Sequence, residues 1–477
     1  MHKPIQIKNL SLSFTHKVCF ENFSAQIHYG ARIAIIGANG SGKSTLLKLF
    51  MSTVTHASGD LIVSSDAVLA YVPQIVEGFD TLSGAERFNK ALTQALSSNP
   101  NVLLLDEPTN HLDRRNKQSL LRLLSHYTGT LILVSHDTEL LRTSVDTLWH
   151  IDNGKIQVFS GNYEDYQSEI MLKRASIEQE LSRLNRQRKD THQALMKEQT
   201  RAAKSRSKGE KSIREHKWPL GGKATALRAE ETSGRKKVAI EDKKQALNAQ
   251  LASLRLPEII SPKFSLSSAE LGDRVIVSIA EGSIAYLGQK PLLHNLYLTI
   301  RSHDRIAILG DNGSGKSTLI KAILKDEDVL KSGDWLFPRN EEIGYLDQHY
   351  ATLSSDKTVC DSIAAEVPAW SHAEIRRHLN DFLFRKNEEV NATVGQLSGG
   401  ERVRLCLASI AALTPKLLIL DEITNNLDLE TKTHVVEVLK AYPGAMLVIS
   451  HDEDFLAAIG ILGRYTIVDR TLVFNLE

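Results

Sequence analysis

The sequence predicts an α/β protein built from two tandem P-loop domains joined by a basic antiparallel α-helical hairpin. Three observations predict it. A phosphate-cradle motif occurs twice, four further motifs recur in the same order behind each copy, and a stretch rich in lysine and arginine with helical periodicity lies between the copies. Arg32 to Lys48 reads RIAIIGANGSGKSTLLK and Arg305 to Lys321 reads RIAILGDNGSGKSTLIK. In each, G-x-x-x-x-G-K-S follows a short apolar run and precedes an apolar helix-forming stretch, the strand, loop and helix order that a P-loop requires. Short β-branched and leucine-rich runs alternate with helical stretches throughout both halves, which calls for a mostly parallel sheet between helices.

The cradle residues are Gly37, Ala38, Asn39, Gly40, Ser41, Gly42, Lys43, Ser44 and Thr45 in the first copy. In the second they are Gly310, Asp311, Asn312, Gly313, Ser314, Gly315, Lys316, Ser317 and Thr318. Glycines let backbone N–H groups turn inward around an anion, and the helix that follows adds partial positive charge. The lysines are placed to reach the β/γ-phosphates of a nucleotide, and Ser44 and Ser317 to put a hydroxyl on Mg²⁺. Behind each cradle come Gln74 and Gln348, then LSGAE (Leu82 to Glu86) and LSGGE (Leu397 to Glu401). VLLLDEPTNHLD (Val102 to Asp113) and LLILDEITNNLD (Leu417 to Asp428) follow, then LILVSHD and MLVISHD, ending at Asp137 and Asp452. A repeat this long is duplication of a whole domain rather than a solenoid.

Adjacent carboxylates at the end of an apolar strand divide the chemistry between them. Asp106 and Asp421 are expected to hold Mg²⁺, and Glu107 and Glu422 to orient and polarise the attacking water. Gln74 and Gln348 are expected to sense the metal and the water, and His136 and His451 to donate to a γ-phosphate oxygen. Phe14 and Tyr286, about two dozen residues before their P-loops, either stack on adenine or pack in the core. Ser83 and Ser398 read as helix N-caps that present hydroxyl and N–H groups to phosphate.

The copies differ in one place. Between Gln and LSG the second has about 40 residues more, helical in pattern, so the first domain's small helical subdomain is nearly deleted. From Tyr166 to Arg255 the connector carries roughly twice as many Lys and Arg as Asp and Glu. Ile177, Leu181 and Leu184, and again Leu247, Leu251 and Leu254, form narrow apolar stripes. Two helices of about 35 residues, roughly 50 Å each, would pair along them and reverse near Trp218-Pro219-Leu220-Gly221-Gly222. The domains therefore read as 1–164, 165–257 and 258–477.

Net charge is only +1, so the chain as a whole has no general affinity for polyanions. Cys19, Cys360 and Cys406 stand far apart, which suggests neither a disulfide framework nor a zinc site. No uncharged apolar run approaches the roughly 18 residues that span a bilayer. The N-terminus lacks a long apolar signal segment. A cytoplasmic protein is expected.

P-loop, Gln, LSG, Asp-Glu and His in this order resemble the ATP-binding cassette over both domains. The fused pair with a basic helical connector resembles the F subfamily of that family, ribosome-associated translation factors and antibiotic-resistance proteins. The resemblance implies cassettes that close head-to-tail, within one monomer, on two ATP molecules. The first site would join Gly37 to Thr45, Gln74, Asp106, Glu107 and His136 to Ser398, Gly399 and Gly400. The second would join Gly310 to Thr318, Gln348, Asp421, Glu422 and His451 to Ser83 and Gly84. It also implies a connector that enters the ribosomal E site near P-site tRNA. There Arg201 to Lys217, Arg228 and Arg235 to Lys237 would neutralise RNA phosphates, while Trp218 either stacks on a base or packs on its own turn.

This chain departs from the family pattern at Ala85, in place of the second glycine of LSGG, and at Ile423 and Asn426, in place of Pro and His. A methyl at position 85 is expected to crowd the γ-phosphate and slow hydrolysis at the second site. Two other functions are compatible with parts of the sequence: the ATPase subunit of a transporter, and a DNA-binding repair ATPase.

Overall fold

The computed structural model describes residues 1–14, 17–52, 57–76, 83–110, 112–214, 238–243, 246–247, 260, 262, 264, 272–347, 353–425 and 427–475. They form two compact units, Met1–Tyr166 with Ile259–Glu477, and Gln167–Glu258. The first unit contains both P-loop domains.

Its first half has a six-stranded sheet in the order β5 (Leu69–Val72), β6 (Val102–Asp106), β7 (Thr130–Val134), β3 (Arg32–Gly37), β8 (Thr147–Asp152), β9 (Lys155–Ser160). All neighbours are parallel except β8 and β9, which form a hairpin. Every residue of β6 and of β7 is buried, as expected for central parallel strands with both faces covered. A smaller antiparallel sheet has the order β2 (Lys17–Ile27), β1 (Ile5–Phe14), β4 (Ala57–Ile62). The core gathers Ile5, Ile7, Phe20 and Phe23 with Ile33, Leu46 and Trp149, the indole lying edge-on to Phe23 at 4.9 Å. Helices α1 (Lys43–Phe50), α2 (Gly84–Ser97), α3 (Arg114–His126) and α4 (Thr138–Ser144) connect the strands.

The second half repeats this plan. β14 (Ile343–Leu346), β15 (Leu417–Asp421), β16 (Ala445–Ile449), β12 (Arg305–Leu309), β17 (Gly463–Val468) and β18 (Thr471–Asn475) form the large sheet, and β11 (Leu293–Arg301), β10 (Val275–Tyr286) and β13 (Val329–Leu336) the small one. The matching helices are α6 (Lys316–Ile323), α10 (Gly399–Leu413), α11 (Leu429–Ala441) and α12 (Glu453–Ala458). The insert expected from the sequence folds as three short helices, α7 (Val359–Glu366), α8 (His372–Asp381) and α9 (Asn387–Asn391). Ile363, Leu379 and Phe382 from the insert are fully buried, in one cluster with Leu405 of α10.

The connector begins with α5 (Tyr163–Arg214), 52 residues, roughly 78 Å at the rise of an α-helix. This corrects the expected arm of about 35 residues. Gly209 is the only Gly or Pro between Tyr163 and Arg214, so little in the sequence breaks the helix early. Among the described side chains of the second unit, Leu184, Thr191 and Leu195 of this helix are buried, as is Leu247. The reversal at Trp218 to Gly222, Arg228, Arg235 to Lys237, Leu251 and Leu254 lie outside the described residues. Among the described residues no helix is long and apolar enough to cross a membrane.

Candidate active site

Each P-loop runs from a central strand into a helix capped by a left-handed glycine. Gly42 (φ 98°) caps α1 and Gly315 (φ 108°) caps α6. A side chain at Gly37, where φ is 145°, would put its Cβ 2.5 Å from the Ile151 carbonyl oxygen, so the loop can close this tightly only without one. Lys43 is buried and donates from Nζ to the carbonyls of Gly37 (2.8 Å) and Ala38 (3.0 Å). Lys316 makes the same pair of bonds to Gly310 (2.7 Å) and Asp311 (3.0 Å).

The carboxylates converge on these loops. Ser44 donates to Asp106 at 2.9 Å, and Tyr71 donates to the other oxygen of Asp106 at 3.3 Å. Burial raises the Asp106 carboxyl, with Ser44 and Tyr71 opposing. In the second domain burial raises Asp421 and the neighbouring Glu422 adds to the effect, while Ser317 opposes it. Glu107 and Glu422 sit just past the strand ends with φ of 48° and 51°, a left-handed backbone that is rare for a glutamate. The surrounding structure holds both: Glu107 N–H donates to Val134 at 2.8 Å and Glu422 N–H to Ile449 at 2.9 Å. The side chains thus leave the strand toward the P-loop lysines. Burial pushes the Glu107 carboxyl up to about 7, with Lys43 opposing. His136 Nε2 lies 3.4 Å from Glu107, and burial together with Lys43 drives its imidazole down to about 3, so the ring is neutral. His451 Nε2 stands 4.0 Å from Glu422, and Asn425 donates to Glu422 at 3.1 Å.

The two halves meet at these sites. Asn39 N–H in the first P-loop donates to Asp428 of the second half at 2.9 Å, and that same carboxylate caps α11 through Thr431 N–H. Burial would raise Asp428, but the bonds from Thr431 and Asn39 outweigh it and hold the carboxyl below its usual range. Further out, Thr138 and Arg142 of α4 both engage Asp454 of α12, at 2.5 and 3.2 Å, and Arg114 pairs with Glu453 at 3.3 Å.

Two cavities lie over the P-loops. The first, about 420 Å³, is lined by residues of the first half, including Phe14, Asn39, Lys43, Gln74, Glu107 and His136. The second, about 450 Å³, is lined by Asn312, Lys316, Ser317 and Glu422 together with Gly84 and Arg87 of the first half. Ser398, Gly399 and Gly400 are not among the residues lining the first cavity. Tyr286 packs against the core of its domain and shares a hydrogen bond with Thr318 at 3.3 Å, whereas Phe14 is 45% exposed at its cavity. Gln348 lies outside the described residues, as do Leu82 and Asn426.

Ser83 and Ser398 each close a capping box. Glu86 accepts from Ser83 N–H (2.8 Å) and Oγ (2.7 Å), and Glu401 from Ser398 in the same way (2.8 and 2.6 Å). The expectation that Ala85 crowds the phosphate is corrected here: its side chain is buried at 6% exposure, whereas Gly84 beside it faces the second cavity. The repeat explains the difference. A Cβ at Gly400 would meet Thr431 Oγ1 of α11 at 2.9 Å, so the second glycine of LSGG makes room for the neighbouring helix of its own domain. The first domain has Asn116 in place of Thr431 and takes the methyl. Ile423 is buried in the core at 2% exposure and leaves the Glu422 backbone like that of Glu107.

Sequence reasoning missed Tyr71 and Arg87. Tyr71 and Tyr345 both stand three residues before the Gln, a repeated offset that would have marked them; burial and Asp421 push the Tyr345 hydroxyl up to about 12.

Similarity to known proteins decides the family. The family described as ABC transporter matches residues 20–75 and 293–425. The ribosome protection protein VmlR of Bacillus subtilis is 31% identical over 96% of this chain and 85% of its own length. The chain belongs to the F subfamily of ATP-binding cassette proteins. Other relatives agree. The ATP-binding protein Uup of Buchnera aphidicola is 30% identical over 95% of this chain and 78% of its own. The erythromycin resistance ATP-binding protein MsrA of Staphylococcus epidermidis is 29% identical over 95% of this chain and 94% of its own. The protein is a P-loop ATPase, and its cassettes bind ATP. Their cradles fit a triphosphate on this structure's own terms: the glycine backbone admits no Cβ at Gly37, and Ser41 Oγ, Ser314 Oγ and Asp421 Oδ1 are buried polar atoms without a protein partner.

Proposed function

We propose that this cassette ATPase acts on the ribosome. The two cassettes, 1–164 and 258–477, close within one monomer on two ATP, and the connector, 165–257, contacts ribosomal RNA and tRNA at the E site beside the P-site tRNA. The observation that carries the reading is the near full-length similarity to a protein named for ribosome protection. A relative named for erythromycin resistance and the connector's twofold excess of basic residues support it. Protection against a ribosome-targeting antibiotic is one outcome of such binding. The protein would work in the cytoplasm.

Within each site the geometry supports the following assignment of roles. Lys43 and Lys316 neutralise the β/γ-phosphates, and the P-loop N–H groups orient them. Glu107 and Glu422 align a water and take its proton as it attacks. Neutral His136 and His451 donate to the terminal phosphate, which needs an N–H rather than a further charge. Ser44, Asp106 and Gln74, and likewise Ser317, Asp421 and Gln348, are the residues that would hold Mg²⁺. The metal would supply charge neutralisation across the phosphates. Phe14 and Tyr286 are assigned to the adenine side. Gly84 and Ser83 complete the second site, and Ser398, Gly399 and Gly400 the first. Closure on ATP then fits the protein to its ribosomal site and hydrolysis releases it.

Co-sedimentation with ribosomes tests this. The Glu107→Gln, Glu422→Gln protein is expected to pellet with ribosomes in ATP and to stay in the supernatant in ADP. Association should weaken steeply with salt, as phosphate contacts do. Equal pelleting in ATP and ADP would count against ATP-gated ribosome binding.

A further inference from the structure

One cation at the shared cavity has no part in the chemistry above. Arg87 is the fourth residue of α2, one turn beyond Ser83, and lines the second cavity beside Gly84, across from Lys316, Ser317 and Glu422. Its acidic neighbour does not neutralise it, because Glu86 is folded back onto Ser83 in the capping box. Among the described residues no carboxylate or carbonyl pairs with the Arg87 guanidinium, and its Nε is buried without a hydrogen-bond partner. A guanidinium with its Nε buried and unbonded is open to an anion, and its planar fork suits phosphate oxygens.

The duplication provides an internal comparison. Arg402 occupies the same position on α10 and shares the orphaned Nε, but its Nη2 donates to the Gly395 carbonyl at 3.0 Å. One arginine of the pair is tied to its own cassette, and the other faces across the boundary.

We propose that Arg87 reaches from the first cassette to the terminal phosphate of the nucleotide held by Lys316, and so discriminates ATP from ADP at the second site alone. This rests on the reading of the second cavity as an ATP site. The residues on both sides of Arg87 locate the phosphate end of the cavity: Gly84 at the helix N-terminus, and Lys316 and Ser317 in the cradle. A diphosphate leaves the guanidinium without its acceptor, so the cassette boundary is held together by ATP more than by ADP.

The test is nucleotide affinity in a Lys43→Ala background, which leaves the second site to be read by a fluorescent ATP analogue displaced with ATP or ADP. Arg87→Ala is expected to weaken ATP about ten-fold or more and ADP less than about two-fold, the scale of one charge-assisted hydrogen bond. Arg87→Lys should recover part of the loss. Arg402→Ala, measured at the first site in a Lys316→Ala background, should change ATP and ADP alike. Equal loss of ATP and ADP affinity in Arg87→Ala, or no loss, would overturn the proposal while Lys316→Ala still removes binding. If Lys316→Ala itself left affinity intact at the second site, the reading of that cavity as an ATP site would fail, and the proposal with it.

Discussion

The Glu107→Gln, Glu422→Gln variant is expected to lose ATP hydrolysis by about a thousand-fold while still binding ATP, because a positioned general base contributes roughly a hundred- to ten-thousand-fold. Both glutamates stand on a left-handed backbone, φ 48° and 51°, fastened by an N–H bond to the neighbouring strand, so their carboxylates are placed by the fold rather than by side-chain packing alone. Glutamine has the same shape and keeps an acceptor oxygen, but it cannot take a proton. The loss should therefore fall on turnover and leave the melting temperature close to that of the unaltered protein. Steady-state phosphate release measured beside ATP binding checks it. Turnover within ten-fold of the unaltered enzyme would mean that another group activates the water.

Removing the P-loop lysines should act on binding instead. Lys43→Ala and Lys316→Ala each take a buried ammonium from a loop whose other donors are uncharged backbone N–H groups and hydroxyls. The expected loss of ATP affinity at the altered site is about a hundred-fold, the scale of breaking a desolvated charge contact. Both variants should fold, because the glycine geometry shapes the loop and the lysine contacts are with its own carbonyls. Equilibrium binding of a fluorescent ATP analogue reads the effect site by site.

These two results rest on residues that are legible in the sequence. Lys43, Glu107 and their partners lie in motifs whose order and spacing recur, and a recurring pattern of this length determines an α/β cassette with little ambiguity. The helical insert of the second cassette was equally readable, since its polar and apolar periodicity survives outside the motifs. Other features depend on three-dimensional neighbours. Whether a methyl at position 85 faces nucleotide or its own domain depends on what stands across from it on the next helix, Asn116 in one half and Thr431 in the other. Pairing partners decide Arg87 and Arg402 in the same way: identical motif positions, but only Arg402 donates its guanidinium to its own cassette, at the Gly395 carbonyl. The left-handed glutamates left no trace in composition, because the strain is imposed by the strand that accepts their N–H. The length of α5 was underestimated because a narrow apolar stripe marks the buried face and says nothing of how far a charged helix continues beyond it.

On the function proposed above, neither cassette owns a whole ATP site. Cysteines introduced as Ser83→Cys and Asn312→Cys, in the Glu107→Gln, Glu422→Gln protein, report it with a short bismaleimide cross-linker; the native Cys19, Cys360 and Cys406 are buried and give little background. Intramolecular cross-linking is expected to be fast in ATP and slow in ADP or without nucleotide. A rate indifferent to nucleotide, or cross-links only between separate molecules, would contradict it.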